Sequence, residues 1–268
     1  MPIITLTTEW NKNDYYIGSV KGAILGDCPD AVIIDISHQV TTYSIAQSAF
    51  LVRSCYKNFP DGTIHIIGVK SESKNKYPYI AVKHKEQYFI AANNGIISLI
   101  LNDKPQIITS IDIFGEYSTF PELNIFTKAA CHLAKGNNIS QLGEEVQTPE
   151  KHIAFLPAID ESVISGSIIY IDSYKNAITN ITETLFNEIG KNRPFEIFMQ
   201  SSYYKTTKIS KKYNEVGDSD LVTIFNSLGL LEVAMNNAPV CELLNLEINS
   251  SIRVKFNPSN SQILNFKS

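Results

Sequence analysis

Three stretches of this chain put polar side chains where a fold can turn them on a small molecule. The first follows the opening apolar run: Thr7-Thr8-Glu9, with Asp14 soon after. A carboxylate such as Glu9 can accept from two vicinal hydroxyls at once, the pattern of a sugar diol; a solvated loop acid is the other reading. Asp14 stands where a helix begins and equally suits a helix cap. The second stretch, Asp172-Ser173-Tyr174-Lys175-Asn176, packs an acid, an aromatic and an amide into five residues. It reads either as ligand-facing or as an Asx-type hairpin turn. In the third, the apolar segment LLEVAM is bracketed by Asn226 and Ser227 on one side and Asn236 and Asn237 on the other. Such ends present hydrogen-bonding groups at the rim of a sheet, where a polar heterocycle can be read.

Other chemistries find little support. His38 is a lone histidine after Asp35-Ile36-Ser37 and reads first as structural. The four cysteines, Cys28, Cys55, Cys131 and Cys241, lie far apart with no CxxC, so no metal site is expected and buried free thiols in a reducing cytosol are. No phosphate-binding glycine loop or nucleophile elbow occurs. Net charge is −4 with dispersed basic residues, which argues against nucleic acid as a partner. The basic run KISKK at 208–212 reads as a solvated loop or strand end. The first ten residues lack a basic, then apolar, leader, and no apolar run approaches membrane-spanning length. A cytoplasmic protein without a membrane partner is expected.

The elements that must position these residues fall into two patterns. A chain of 268 residues with 44% hydrophobic content suits two compact domains. Through about residue 150, strand and helix signals alternate. Pro2–Thr7 reads as a strand, Ile17, Val20, Ile24 and Leu25 as a helix face, and Ala31–Ile36 as a strand. Ser44-Ile45-Ala46-Gln47 fits a capping box ahead of Ala49, Val52 and Cys55, and Thr63–Val69 reads as a strand buried on both faces. Tyr79–Val82 and Tyr88–Ala91 read as paired strands, Ile125–Ala134 as a helix. This predicts an α/β N-terminal domain over 1–150 with a mostly parallel central sheet. Ligands of such sheets sit beyond the carboxyl ends of the strands, where Glu9, His38 and Lys70 fall. From 160 to 268 short strands follow with little helix between them, predicting a C-terminal antiparallel β-barrel. The boundary is placed near the polar stretch Gly143–Lys151.

The Pro2–Gly22 segment, Asn93-Asn94-Gly95, the Asp172–Asn176 turn and the Asn226–Ala238 stretch together resemble one family over roughly residues 2 to 256. It is that of the S-adenosylmethionine (SAM) hydroxide adenosyltransferases, or SAM hydrolases, with the related fluorinases and chlorinases. The resemblance implies cleavage of SAM to adenosine and methionine by attack at C5′, with no cofactor beyond SAM itself. It gives Glu9, aspartate in the family, the ribose diol and sets Asp14 near the methionine moiety. Tyr43 and Tyr174 become aromatic faces for the adenosine, since stacking needs only a flat ring. Asp172 takes the amino-acid ammonium, Asn176 and the Asn236-Asn237 backbone the adenine edge, and Ser227 the methionine carboxylate. The family arginine beside that serine is Leu228 here, which weakens carboxylate recognition. The resemblance also implies a homotrimer with sites where subunits meet, and a nucleoside as the small-molecule partner.

The nucleophile side departs from the family pattern. The family's aspartate, arginine and histidine, which orient water, are replaced by Lys70, Tyr77 and Pro121. Displacement at C5′ expels neutral methionine, so the protein must only hold a nucleophile in line and strip its water. Glu122, Tyr77 and Lys70 are the candidates for that work, and slow turnover is expected. Two other readings stay open: a catalytically silent SAM or adenosine binder, and an adenosyl transferase that uses an anionic nucleophile near Lys70.

Overall fold

The computed structural model describes residues 1–72, 76–101, 103–115, 118–153 and 155–257, so the end of the predicted barrel domain, 258–268, lies outside the described residues. The chain forms two compact units, Met1–Ala154 and Phe155–Ser268.

The first unit runs β1 (Ile3–Thr8), α1 (Tyr15–Asp27), β2 (Val32–Ser37), α2 (Ile45–Cys55), β3 (Ile64–Gly68), β4 (Tyr79–His84), β5 (Gln87–Ala92), α3 (Ile96–Ile100) and β6 (Ile107–Ser110). A π-helical turn, Glu122–Phe126, then leads into α4 (Thr127–Ala134). The six strands form one sheet in the order β2-β1-β3-β5-β4-β6. All five residues of β3 are buried, as a continuous apolar run requires of a strand covered on both sides. Ile4, Leu6, Ile64 and Ile66 pack with Val20 and Ile24 of α1 and Ala129 and Ala130 of α4. Ile67, Val82 and Phe89 pack with Ala49 and Val52 of α2 and Ile96 and Ile100 of α3.

The sheet is mixed, with parallel and antiparallel neighbours. The β1–β2, β1–β3 and β3–β5 ladders are parallel, whereas β4–β5 and β4–β6 are antiparallel. The cause is local. Only Lys85 and Glu86 join β4 to β5, both with positive φ (48° and 60°), the signature of a tight hairpin whose strands must run antiparallel.

The second unit runs β7 (Ala158–Asp160), β8 (Val163–Ile171), β9 (Ala177–Thr182), α5 (Glu183–Gly190), β10 (Phe195–Met199), β11 (Lys205–Thr206), β12 (Leu221–Phe225), β13 (Leu230–Met235), α6 (Val240–Leu243) and β14 (Ser251–Phe256). Strand order is β11-β10-β14-β8-β9-β13-β12, with β7 on β8 and every ladder antiparallel. The segment after β11 reaches back to β12: Ser210 N–H donates to Thr223 O (2.8 Å) and the Thr223 hydroxyl to Lys208 O (2.6 Å). The sheet is thereby a nearly closed barrel. β14 alternates exposed and buried residues along its whole length, and Ile252, Val254 and Phe256 enter the core.

Helix α5 is more helix than the sequence pattern led one to expect. Its start is specified locally: Thr182 accepts from Leu185 N–H (3.1 Å), and Glu183 places an acid in the first turn. The helix ends in a left-handed cap at Lys191 (φ 47°), and a Cβ on Gly190 just before it would lie 2.6 Å from the Phe256 ring.

Candidate functional site

In the first unit, residues at the carboxyl ends of the parallel strands are tied together through Glu9. Its Oε1 accepts from Lys70 N–H (2.9 Å), and its Oε2 accepts from Tyr43 N–H. Both donors sit at positive φ, 49° for Lys70 and 65° for Tyr43, a conformation that side-chain-bearing residues adopt at some cost. The carboxylate therefore holds two loops in place and still keeps acceptor capacity, since its two oxygens offer about four acceptor directions. The Tyr43 ring is 69% exposed, available as a flat apolar face. Asn94 braces the same strand end, donating to Val69 O (3.1 Å) and Lys70 O (2.8 Å).

Beneath these loops lies a buried acid. Glu122 opens the π-helical turn and is only 6% exposed. Its Oε1 accepts from the Ser71 hydroxyl, and its carboxyl lies over Gly68 at the end of β3. Burial chiefly, with the Glu9 charge adding, pushes the Glu122 carboxyl above the usual carboxylate range, opposed by the Ser71 bond and its own backbone N–H. Of the predicted catalytic residues, Lys70 and Glu122 thus gather at one strand end. Tyr77 donates to Glu144 Oε2 (2.9 Å) and accepts from Lys76 Nζ (2.7 Å). Asp14 is the residue before α1 but makes no capping bond; it accepts from Asn11 N–H (3.3 Å) instead.

His38 is held rather than free. Its Nδ1 lies 2.8 Å from the Thr8 hydroxyl and its ring stacks on Trp10. Its Nε2 approaches Asp35 Oδ1 at 3.1 Å, an ion-pair distance whose angle is too poor for a hydrogen bond. The contact supports the structural reading of His38.

In the second unit, five predicted residues line one cavity of about 730 Å³: Asp172, Tyr174, Asn176, Asn236 and Asn237. The turn between β8 and β9 is an Asx turn built on Asp172, whose Oδ1 accepts from Tyr174 N–H (2.9 Å) and Asn176 N–H (2.8 Å). Asn176 donates its side-chain amide to Asp172 Oδ2 (3.3 Å) and is 8% exposed. The Asx turn and the cavity-lining placement therefore coexist. Antiparallel pairing of β9 with β13, Ala177 opposite Val233, brings Asn236 and Asn237 to the same rim. Tyr174 projects at 78% exposure. Ser227 does not join them: it lies exposed in the β12–β13 turn, at the other end of β13.

Tyr213 also lines this cavity, and no sequence signal marks it within the polar run Lys211-Lys212-Tyr213-Asn214-Glu215. Ser71 was likewise missed, because its partner lies 51 residues away. Among the described residues no group of three or more His, Cys, Asp or Glu side chains is arranged to hold a metal ion.

The amide- and aromatic-lined cavity of the second unit suits a polar ligand with a flat ring. Comparison with known proteins gives the family. The chain is 26% identical over 273 residues to the (R)-S-adenosyl-L-methionine hydrolase of Methanocaldococcus jannaschii, covering 95% of this chain and 96% of that one. It is 22% identical to a fluorinase of Actinopolyspora mzabensis, covering 94% and 97%. Its fold matches the crystal structure of an uncharacterised conserved protein from Thermotoga maritima with a TM-score of 0.85 at 23% identity, covering 95% and 100%. The family model for the SAM hydroxide adenosyltransferase N-terminal domain matches residues 4–143, and that for the C-terminal domain matches 166–253. The chain belongs to the SAM hydroxide adenosyltransferase family.

Proposed function

We propose that this protein cleaves S-adenosylmethionine to adenosine and methionine by nucleophilic attack of water at C5′. The observation that carries the reading is the cavity of the second unit, where an acid, an aromatic and three amides assigned to the ligand on family grounds line a single space. Asn176 and the Asn236-Asn237 segment take the adenine edge, Tyr174 and Tyr43 give aromatic faces, and Glu9 binds the ribose diol. Asp172 takes the ammonium group and Asp14 lies near the methionine moiety, whereas Ser227, at the far end of β13, is too distant from Asp172 to bind the carboxylate of the same methionine. The leaving group is neutral methionine departing from a sulfonium, so neither a general acid nor a cofactor is required, and catalysis reduces to holding the nucleophile in line.

Glu122, Lys70 and Tyr77 do that work in place of the family's aspartate, arginine and histidine. Positioning and general-base groups contribute on the order of 10²–10⁴ in rate, so turnover is slow. The enzyme works as a homotrimer with sites where subunits meet, which sedimentation at a stable monomer mass would contradict. Its compartment is the cytoplasm, where the four free thiols stay reduced. No helix among the described residues is long and apolar enough to cross a membrane.

The test is incubation with SAM, with and without halide, followed by chromatography. Adenosine and methionine in equal amounts support the proposal. Intact SAM that nevertheless binds would make the protein a silent binder, and a 5′-halogenated nucleoside would assign Lys70 an anionic nucleophile.

A further inference from the structure

Glu232 of β13 is a buried acid, 3% exposed, with both oxygens engaged. Oε1 accepts from the Tyr213 hydroxyl (2.7 Å) and Oε2 from Asn226 Nδ2 (3.1 Å). The Asn226 amide cannot turn over without loss, because its Oδ1 already accepts from Leu228 N–H (3.0 Å) and Leu230 N–H (3.2 Å). Its Nδ2 must therefore face position 232. A carboxylate offers acceptors only, so the Tyr213 proton is committed to Glu232. Burial, the Glu232 bond and the Asp172 charge all push the phenol's ionisation upward, so it stays neutral.

Tyr213 also lines the cavity with Asp172 and Asn176. With its proton held by Glu232, its oxygen has only lone pairs left for a ligand. Asn176 keeps both polarities: one Nδ2 hydrogen goes to Asp172, and Oδ1 and the second N–H remain for a ligand. Tyr213 thus brings a neutral acceptor to the lining of this cavity.

We propose that Tyr213 is a specificity-determining residue that selects a 6-amino purine over a 6-oxo purine, with Glu232 as the positioning residue that fixes its polarity. The Tyr213 oxygen accepts from the exocyclic amine and meets a carbonyl as acceptor against acceptor. The inference rests on the reading of this cavity as the purine site and deepens it.

The test is calorimetric binding of adenosine and inosine to the full chain, its Tyr213→Phe variant and its Glu232→Gln variant. Wild type prefers adenosine by about tenfold or more, the worth of one hydrogen bond gained and one repulsive contact avoided. Tyr213→Phe keeps the ring, lowers adenosine affinity, relieves the repulsion of inosine and brings the ratio to within about threefold. In Glu232→Gln, Asn226 still needs an acceptor, so the new amide turns its oxygen to Asn226 and its NH₂ to Tyr213. The phenol then accepts there and donates into the cavity, and the ratio shifts toward inosine by about tenfold. A purely structural role would weaken both nucleosides in parallel, and that result overturns the proposal, as does an unchanged ratio in Tyr213→Phe. If Glu232→Gln fails to fold, the Tyr213→Phe ratio decides alone. Wild type binding neither nucleoside would overturn the purine reading itself, and this inference with it.

Discussion

Gly68→Ala probes the packing that seats Glu122. A Cβ at residue 68 would lie 2.7 Å from Glu122 Cγ, 3.0 Å from Oε1 and 3.3 Å from Cδ. Neither side has room to yield: residue 68 ends a strand buried throughout, and the Glu122 carboxyl is buried and bonded to Ser71. Overpacking of this kind costs about 1–3 kcal/mol. Displacing the carboxyl from the Ser71 hydroxyl adds about 1 kcal/mol, and alanine's lower unfolded-state entropy returns about 0.5–1 kcal/mol. The net loss is about 2 kcal/mol, a fall of roughly 4–8 °C in Tm for a protein of this size. In a Glu122→Ala background the clashing atoms are gone, so adding Gly68→Ala costs less than about 0.5 kcal/mol. Urea unfolding of the four proteins of this cycle measures the difference. Equal destabilisation by Gly68→Ala in both backgrounds would refute the argument that glycine is required to seat the acid.

Three further outcomes follow from the same geometry. Because the folded Glu122 carboxyl is raised above its unfolded value, wild type is favoured while that group is protonated. Its stability relative to Glu122→Gln should be constant below about pH 4.3 and decline as pH rises through the raised value; a pH-independent difference would contradict this. His65 is buried between the Thr5 hydroxyl and Gln87, and burial pushes its pKa down to about 4. Acidification from about pH 6.5 to 4 therefore protonates the unfolded chain first and removes on the order of 3 kcal/mol, a loss that His65→Gln should lack in thermal melts across that window. Glu9→Ala releases the Lys70 and Tyr43 loops and removes the diol acceptor, so adenosine affinity should fall at least about tenfold by calorimetry; equal affinity would show that the ribose lies elsewhere.

What the sequence reveals is what repeats locally. β3 is legible because its apolar residues run unbroken, and β14 because its burial alternates strictly. The direction of β4 is harder to read, since Lys85 and Glu86 are not the residues a tight hairpin normally carries. α5 hides among strands because its apolar face is short and its left-handed cap falls on Lys191 rather than on a glycine. The Asp172–Asn176 turn is visible as a cluster, but its union with Asn236 and Asn237 depends on the β9–β13 pairing. Reading Asn226–Asn237 as one stretch conceals that the six residues of β13 separate its ends by about 20 Å, which is why Ser227 stands apart from the cavity. Glu122 is visible as an acid, yet its character comes from Gly68 and Ser71, residues that no local pattern connects to it. Tyr213 likewise acquires its role only through Glu232, nineteen residues on.

The central claim is that water, held by this protein, displaces methionine at C5′ of SAM. Reaction in ¹⁸O-enriched water with excess protein, followed by mass spectrometry of the nucleoside, tests it directly. The account predicts adenosine carrying one solvent oxygen at the 5′ position, formed together with an equal amount of methionine. Unlabelled adenosine, or SAM left intact by the excess protein, would contradict it.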